Sequence, residues 1–359
     1  MNMDQPNLFT YATSELSQDA FICYLIKHAM EPIDEELYRT GRELIVIMYN
    51  LSHNSGRITT QDIDEINKLE KQFHKIDVYF EAKILNKKYG FIIEDKTYSK
   101  EHSNQLLRYK ESLESEEYPP EAVLGIYFKT GYVFEDEIEK CIEAKYVILN
   151  AEGLYKPLKD CQSQDQILNQ YRKFLFEEYV KPQSQYALSI SSNHYKAFDQ
   201  LPVKYEYIKK LKEKCPEHIN ETHVECSNNR SGTSWCQFYF ATFEKAYDGD
   251  IPEYLFYRID EKKKGFYLRI NLYSTVKNAC ETVRVEKLRR VELFRKLFRS
   301  LQGSALQFSD PANNAIIECE VAILYFDNDV NTIQRTLKHI PKIHKAFVEG
   351  VKQLADHLG

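Results

Sequence analysis

Read from the amino terminus, apolar positions recur first at helical and then at strand spacing. Over residues 19–30 (DAFICYLIKHAM), Phe21, Ile22, Leu25 and Ile26 share one face of a 3.6-residue period and predict a helix with a buried stripe. A second helix is predicted over 35–49. A short amphipathic one follows over 60–69, with Thr60 as cap and Ile63, Ile66 and Leu69 marking the repeat. The period then drops to two. Residues 75–81 alternate as a strand, 86–88 read as a turn, and 89–94 predict a second strand that ends in charge. Helical spacing returns over 100–117, with Leu106, Leu107 and Leu113 inward and Pro119-Pro120 as the stop. Residues 122–129 form a nearly unbroken apolar run, the mark of a central strand, and 146–149 a shorter one. This order predicts an α/β core over about 10–180, closed by a helix at 164–180.

Pro182 and the SISSN run place a joint near 182–193. Beyond it a helix is predicted over 204–215, and strands over 235–243, 254–260, 266–273 and 314–326. The EKKKG turn links the second and third of these strands. Residues 281–300 read as a strongly basic helix, and 331–358 as a helical tail that Pro341 should kink or split.

Length agrees with this division. At roughly 150 residues per domain, 359 residues suggest two domains, 1–182 and 183–359. No apolar run reaches eighteen residues and the polar start lacks a signal-like pattern, so a cytoplasmic protein without a membrane partner is expected. Eight scattered cysteines without a CxxC pair fit reduced thiols better than a zinc site or a disulfide scaffold. The net charge of -6 argues weakly against nucleic acid until it is divided. Residues 1–180 hold 21 Lys+Arg against 32 Asp+Glu, and 181–359 hold 27 against 22. The halves therefore carry -11 and +5.

The densest polar signal lies at 75–109. Asp77 follows Ile76 in one strand, and the run Phe91-Ile92-Ile93 of the next meets Glu94-Asp95-Lys96. Strand alternation puts Glu94 and Lys96 on one face and Asp95 on the other, and hairpin pairing brings Asp77 toward Glu94. Two carboxylates suit a hard cation such as Mg²⁺, and a neighbouring lysine can orient an attacking water. Gln105 and Tyr109, four apart, share a helix face. The side chains of Asp95 and Lys100 read as exposed charge, and His74 and His102 as surface histidines flanking the motifs.

Taken together, LSQDAF (16–21), Ile76-Asp77, IIEDK (92–96) and QLLRY (105–109) resemble the PD-(D/E)xK nuclease superfamily, in particular its bacterial nuclease-like branch with a QxxxY element. The resemblance covers 10–180, with Ile76 in place of the family's proline. It implies a restriction-endonuclease-like core, a mixed central sheet flanked by helices, followed here by an α+β domain. By that resemblance Asp77 and Glu94 are the metal-binding acids, Lys96 is the catalytic lysine, and the backbone carbonyl of Asp95 is a further ligand. Gln105 and Tyr109 complete the catalytic set, and Glu15 is the first-helix acid facing the metal, with Asp19 a weaker contender. The implied activity is Mg²⁺-dependent hydrolysis of phosphodiester bonds, chiefly in DNA, with Mn²⁺ as a substitute.

The basic half offers Lys262, Lys263 and Lys264 at a turn, and Arg284, Lys287, Arg289, Arg290, Arg295, Lys296 and Arg299 along one helix. If Leu288, Val291, Phe294, Leu297 and Phe298 pack inward, most of these basic side chains point out and offer a phosphate backbone a salt-sensitive surface. A solvated face that balances an acidic partner domain is the competing account. Two other functions stay open: an inactive nuclease-like fold that binds nucleic acid or protein, and a regulatory protein whose acidic face docks a basic partner. Defence and repair are roles common to the fold, with a protein partner in either system. No GxxxxGK[ST] run occurs, so ATP-driven action would need another chain.

Overall fold

The computed structural model describes residues 6–12, 15–53, 56–99, 104–116, 118–191, 200–220, 222–229, 232–247, 251–262, 265–275, 280–303, 305–309, 311, 317–326 and 330–358. The chain divides into two compact units, Met1–Ser184 and Gln185–Gly359. No helix among the described residues is long and apolar enough to cross a membrane.

Unit 1 is α/β. Helices α1 (Leu8–Tyr11), α2 (Glu15–Met30) and α3 (Glu35–Ser52) precede three strands, β1 (Ile63–Phe73), β2 (Ile76–Ile84) and β3 (Lys87–Lys96). Then come α4 (Gln105–Glu116), β4 (Val123–Lys129), α5 (Glu135–Glu143), β5 (Tyr146–Asn150), α6 (Ala151–Lys159) and α7 (Gln166–Leu175), while α8 (Lys181–Ser191) runs across the boundary between the units. The five strands lie in chain order, antiparallel from β1 to β3 and parallel from β3 to β5. Parallel neighbours need a crossover, which α4 and α5 supply. Strands β3 and β4 are buried along almost their whole length, as the apolar runs required.

The two hairpins turn on His74-Lys75 and Leu85-Asn86, all four residues at positive φ as a two-residue loop of matching twist demands. The turn read at 86–88 therefore sits one residue earlier. The helix expected over 60–69 is instead one 3-10 turn (Thr60–Asp62) leading into β1. Two bulges explain the misreading. The β1–β2 register slips between Ile63 and Glu65 and again between Asn67 and Glu70. Each extra residue stretches the period of two toward three, so Ile63, Ile66 and Leu69 face the core at a spacing that imitates a helix. Sequence pattern also missed α5 and α6, both short and rich in charge.

Helices α2 and α3 approach closely at Gly41, where an added Cβ would lie 2.4 Å from the Leu25 carbonyl oxygen. Gly→Ala in a helix ordinarily gains about 1 kcal/mol. Here overpacking against rigid backbone is larger, at about 2–3 kcal/mol, which leaves a net loss of about 1–2 kcal/mol. Gly41→Ala should therefore lower the melting temperature of unit 1 by about 2–8 °C; a melting temperature equal to or above the native one would show that the contact is slack.

A five-residue π-turn (Phe176–Val180) joins α7 to α8, so the predicted joint begins as helix. Unit 2 has α9 (Leu201–Lys214), then β6 (Val224–Asn228), β7 (Ser234–Tyr247), β8 (Ile251–Lys262) and β9 (Gly265–Ser274). After these come α10 (Glu281–Leu301), β10 (Glu318–Tyr325) and α11 (Val330–Leu358). Its sheet is wholly antiparallel, in the order β10-β9-β8-β7-β6. Pro341 does not divide α11, because Leu337, Ile340, Ile343, Phe347 and Val351 bury one stripe along both halves. His344 on the same helix is buried, its Nε2 2.7 Å from the Glu217 carbonyl oxygen and its Nδ1 3.2 Å from the Tyr257 hydroxyl. Burial holds it below the usual histidine range.

Candidate active site

The site forms where β3 outruns β2. Val78 pairs with Ile93, so one step further Asp77 stands opposite Glu94 on the same face of the sheet. Asp77 is half-buried, and its Oδ2 accepts the Asp95 N–H at 2.9 Å, closing the end of the ladder. Its Oδ1 accepts from Gln72 Nε2 at 3.3 Å. Lys96 Nζ lies 2.5 Å from Glu94 Oε1 and 3.1 Å from the Asp95 carbonyl oxygen. Asp77, Glu94, Lys96 and the Asp95 carbonyl thus converge at one strand end.

The electrostatics follow from burial. Glu94 is buried, and its Oε2 has no hydrogen-bond partner. Desolvation, then the Asp77 charge, raise its carboxyl to about 7 against the pull of Lys96. Burial pulls the Lys96 ammonium down, yet Glu94, Asp77 and Glu15 together hold it above its ordinary value. On α4, Gln105 Nε2 donates to the Tyr109 hydroxyl at 3.2 Å. Tyr109 is raised by burial and then by the Glu94 and Asp77 charges, so its hydroxyl lies within their electrostatic reach.

The opposite face of β3 corrects the sequence reading. The Asp95 side chain is not an exposed charge: it is 0% exposed, beneath α2. Gln18 Nε2 approaches its Oδ1 at 3.4 Å and donates to Thr97 Oγ1 at 2.6 Å. Asp19 is buried against it, with Lys71 Nζ 3.8 Å from Asp19 Oδ2. Burial, then Asp77, raise Asp19 to about 6. Burial, then Asp19, raise Asp95 well above the carboxylate range. Glu15 sits at the start of α2, its Oε1 accepting from the Thr97 N–H at 3.0 Å and from Ser99 Oγ at 2.5 Å. His74 lies exposed in the first hairpin turn, and Lys100 and His102 lie outside the described residues.

In unit 2 the basic helix is turned differently from the expectation. Lys287, Arg290 and Arg295 point inward. Lys287 donates to the Ile317 carbonyl at 2.5 Å, Arg290 pairs with Glu253 at 2.5 Å, and Arg295 donates twice to the Glu320 carbonyl, at 3.0 and 2.8 Å. Each thus places its charge against a carbonyl or carboxylate at or beside the sheet, so none is buried without a partner. Leu288, expected inside, is 41% exposed. Arg284, Arg289 and Arg299 are paired with Glu281, Glu286 and Glu292 along the helix. With Lys296 also outward, that face carries four basic groups against three acidic ones rather than a basic stripe. Lys263 and Lys264, and the side chain of Lys262, lie outside the described residues.

Among the described residues, no three His, Cys, Asp or Glu side chains are grouped to hold a metal ion. The oxygen ligands at this end of β2 and β3 are two carboxylates and a carbonyl, and one carboxylate oxygen, Glu94 Oε2, is buried with no donor facing it. Such a set fits Mg²⁺, which takes one or two carboxylates and keeps several waters. No family model, curated protein or solved structure matches the chain.

Proposed function

We propose that the chain is a metal-dependent phosphodiesterase of the PD-(D/E)xK type acting on nucleic acid, first of all DNA, in the cytoplasm. The observation that carries the reading is the convergence of Asp77, Glu94 and Lys96 at one strand end, with a buried Glu94 oxygen that no donor satisfies. The mixed sheet and the β3–α4–β4 crossover accord with a restriction-endonuclease-like core. Asp77, Glu94 and the Asp95 carbonyl would hold Mg²⁺, or Mn²⁺ in its place. The bound ion would supply Lewis-acid stabilisation of the phosphoryl oxygen and a more acidic water. Lys96 Nζ would orient the attacking water and stabilise the negative charge that develops on the phosphoryl oxygens. Gln105 and Tyr109 would hold the scissile phosphate from α4. Outward Arg284, Arg289, Lys296 and Arg299 remain candidates for phosphate contact in unit 2.

One observation favours a second reading, a nuclease-like module that binds without turnover: Lys96 already neutralises Glu94 and occupies the Asp95 carbonyl. Both readings are separated by titrating Mn²⁺ calorimetrically. The nuclease reading expects one site per chain, lost in Glu94→Ala. It also expects binding at least about tenfold tighter in Lys96→Met, because an ammonium that competes for the same oxygens is gone, a change of about 1.4 kcal/mol. No binding heat in either protein would favour the module.

A further inference from the structure

A second charged pair stands beside the motif, on strand β4. In the parallel register, Glu94 lies opposite Tyr127 and Lys96 opposite Lys129, so all four side chains share one face. Lys129 and Glu137 are each 1% exposed and pair at 2.9 Å. Glu137 Oε1 also accepts the Tyr127 hydroxyl at 2.6 Å, and its Oε2 accepts the Phe134 N–H at 3.1 Å. Tyr127, the register partner of Glu94, also lies within reach of its charge. A buried ion pair is weak evidence of stability, because desolvation offsets much of its attraction. A structural role alone therefore accounts poorly for it.

Its other contacts give it work. Lys129 Nζ donates to the carbonyl of Ser99, three residues beyond Lys96. Ser99 Oγ in turn holds Glu15, which also holds the Thr97 N–H. The Thr130 N–H donates to the Lys96 carbonyl at 3.1 Å. The chain then passes so close at Gly131 that an added Cβ would lie 2.2 Å from the Thr97 carbonyl oxygen. Residues 96–99 are thus gripped from β4 on one side and from α2 on the other. Strand ends normally fray, and a reacting group needs its supporting shell to fix it within a fraction of an ångström.

We infer that Lys129 and Glu137, braced by Tyr127, are positioning residues that hold the end of β3 and so aim Lys96 and Glu94 at the substrate. The inference rests on the nuclease reading and adds a layer to it. Neither residue touches the reacting atoms.

The test uses the full chain with Lys129→Met/Glu137→Gln, which removes both charges together and leaves neither buried alone, and with Tyr127→Phe, which removes only the hydroxyl. Turnover of DNA in Mg²⁺, Mn²⁺ affinity and amide exchange over 94–99 are measured on protein shown to be folded. The double variant should lose at least about 30-fold in kcat, with KM and Mn²⁺ affinity within about threefold of wild type. Amide exchange at Lys96–Ser99 should speed at least about tenfold. Tyr127→Phe should lose about three- to tenfold in kcat, and it decides the matter if the double variant does not fold. Unchanged kcat and exchange in a folded variant would overturn the inference while leaving the nuclease reading intact. A wild type without turnover would remove that reading, and the pair would then be a clamp of the fold only.

Discussion

Lys96→Ala is expected to lose at least about 10³-fold in kcat, with DNA affinity changed by less than about threefold. Among the described residues, Lys96 is the cation that reaches both Glu94 and the Asp95 carbonyl. On the nuclease reading its loss would remove charge stabilisation that develops only as the phosphorus is attacked, and preorganised groups of this kind supply about 10²–10³ each. Removing the orientation of the water adds to that. On the nuclease reading the ground state would be touched lightly, since a nucleic acid would be held by many contacts, so the effect is expected on kcat. Single-turnover kinetics separate chemistry from release. A loss shared equally between kcat and KM would assign Lys96 to binding instead. Lys96→Met should behave in the same way while tightening Mn²⁺, and that pairing of opposite effects is hard to produce by misfolding.

Without a divalent cation, unit 1 is expected to lose stability as pH rises through 7. Glu94 is raised from 4.5 to about 7 by burial and then by Asp77. A carboxyl raised in the folded state binds its proton more tightly there than in the unfolded chain. Its contribution is therefore complete below the unfolded value and fades as pH climbs through the folded one. At about 1.4 kcal/mol per unit the shift corresponds to about 3 kcal/mol between pH 4.5 and pH 8. Asp19, raised to about 6 by burial and Asp77, adds with the same sign. The groups that face Glu94 are Asp77 from β2, Lys96 within β3, Tyr109 from α4 and Tyr127 from β4. Saturating Mg²⁺ should flatten the slope, because the cation replaces the proton. His344 works the other way in unit 2. Its lowered value favours the folded state above the unfolded pKa of about 6.5, and that advantage is lost as pH falls below it. Amide exchange, which follows each unit separately, is the appropriate measurement. Exchange in unit 1 that is slower at pH 8.5 than at pH 5.5, after correction for intrinsic rate, would contradict the assignment.

The strand carrying IIEDK was legible because alternation is local: Glu94 and Lys96 fall on one side whatever lies around them. The Asp77–Glu94 encounter was legible for the same reason, since a tight hairpin fixes its own register. Strand β1 was not, because bulges rewrote its period. Asp95 looked like solvated charge, since nothing nearby in sequence shows that Gln18 and Asp19, about 77 residues earlier, cover it. The Lys129–Glu137 pair escaped notice for a related reason. Its partner strand reaches it by a parallel crossover, and only that pairing sets Lys129 beside Lys96. The signal present was a lysine ending a seven-residue buried strand, a position at which charge calls for a partner. In α10, the apolar stripe marked the buried face at Val291, Phe294 and Phe298, but Arg290 and Arg295 share that face by answering carbonyl and carboxylate groups of the sheet.

The central claim is that Asp77, Glu94 and Lys96 form a divalent-ion-dependent phosphodiesterase centre. It is tested most directly by incubating wild type, Asp77→Ala and Lys96→Ala with linear and circular duplex DNA, single-stranded DNA and RNA, each with Mg²⁺ and with EDTA. The account predicts cleavage by wild type in Mg²⁺, none in EDTA, and at least about a 10³-fold loss in both variants. Equal cleavage by all three proteins, or cleavage by none, would contradict it.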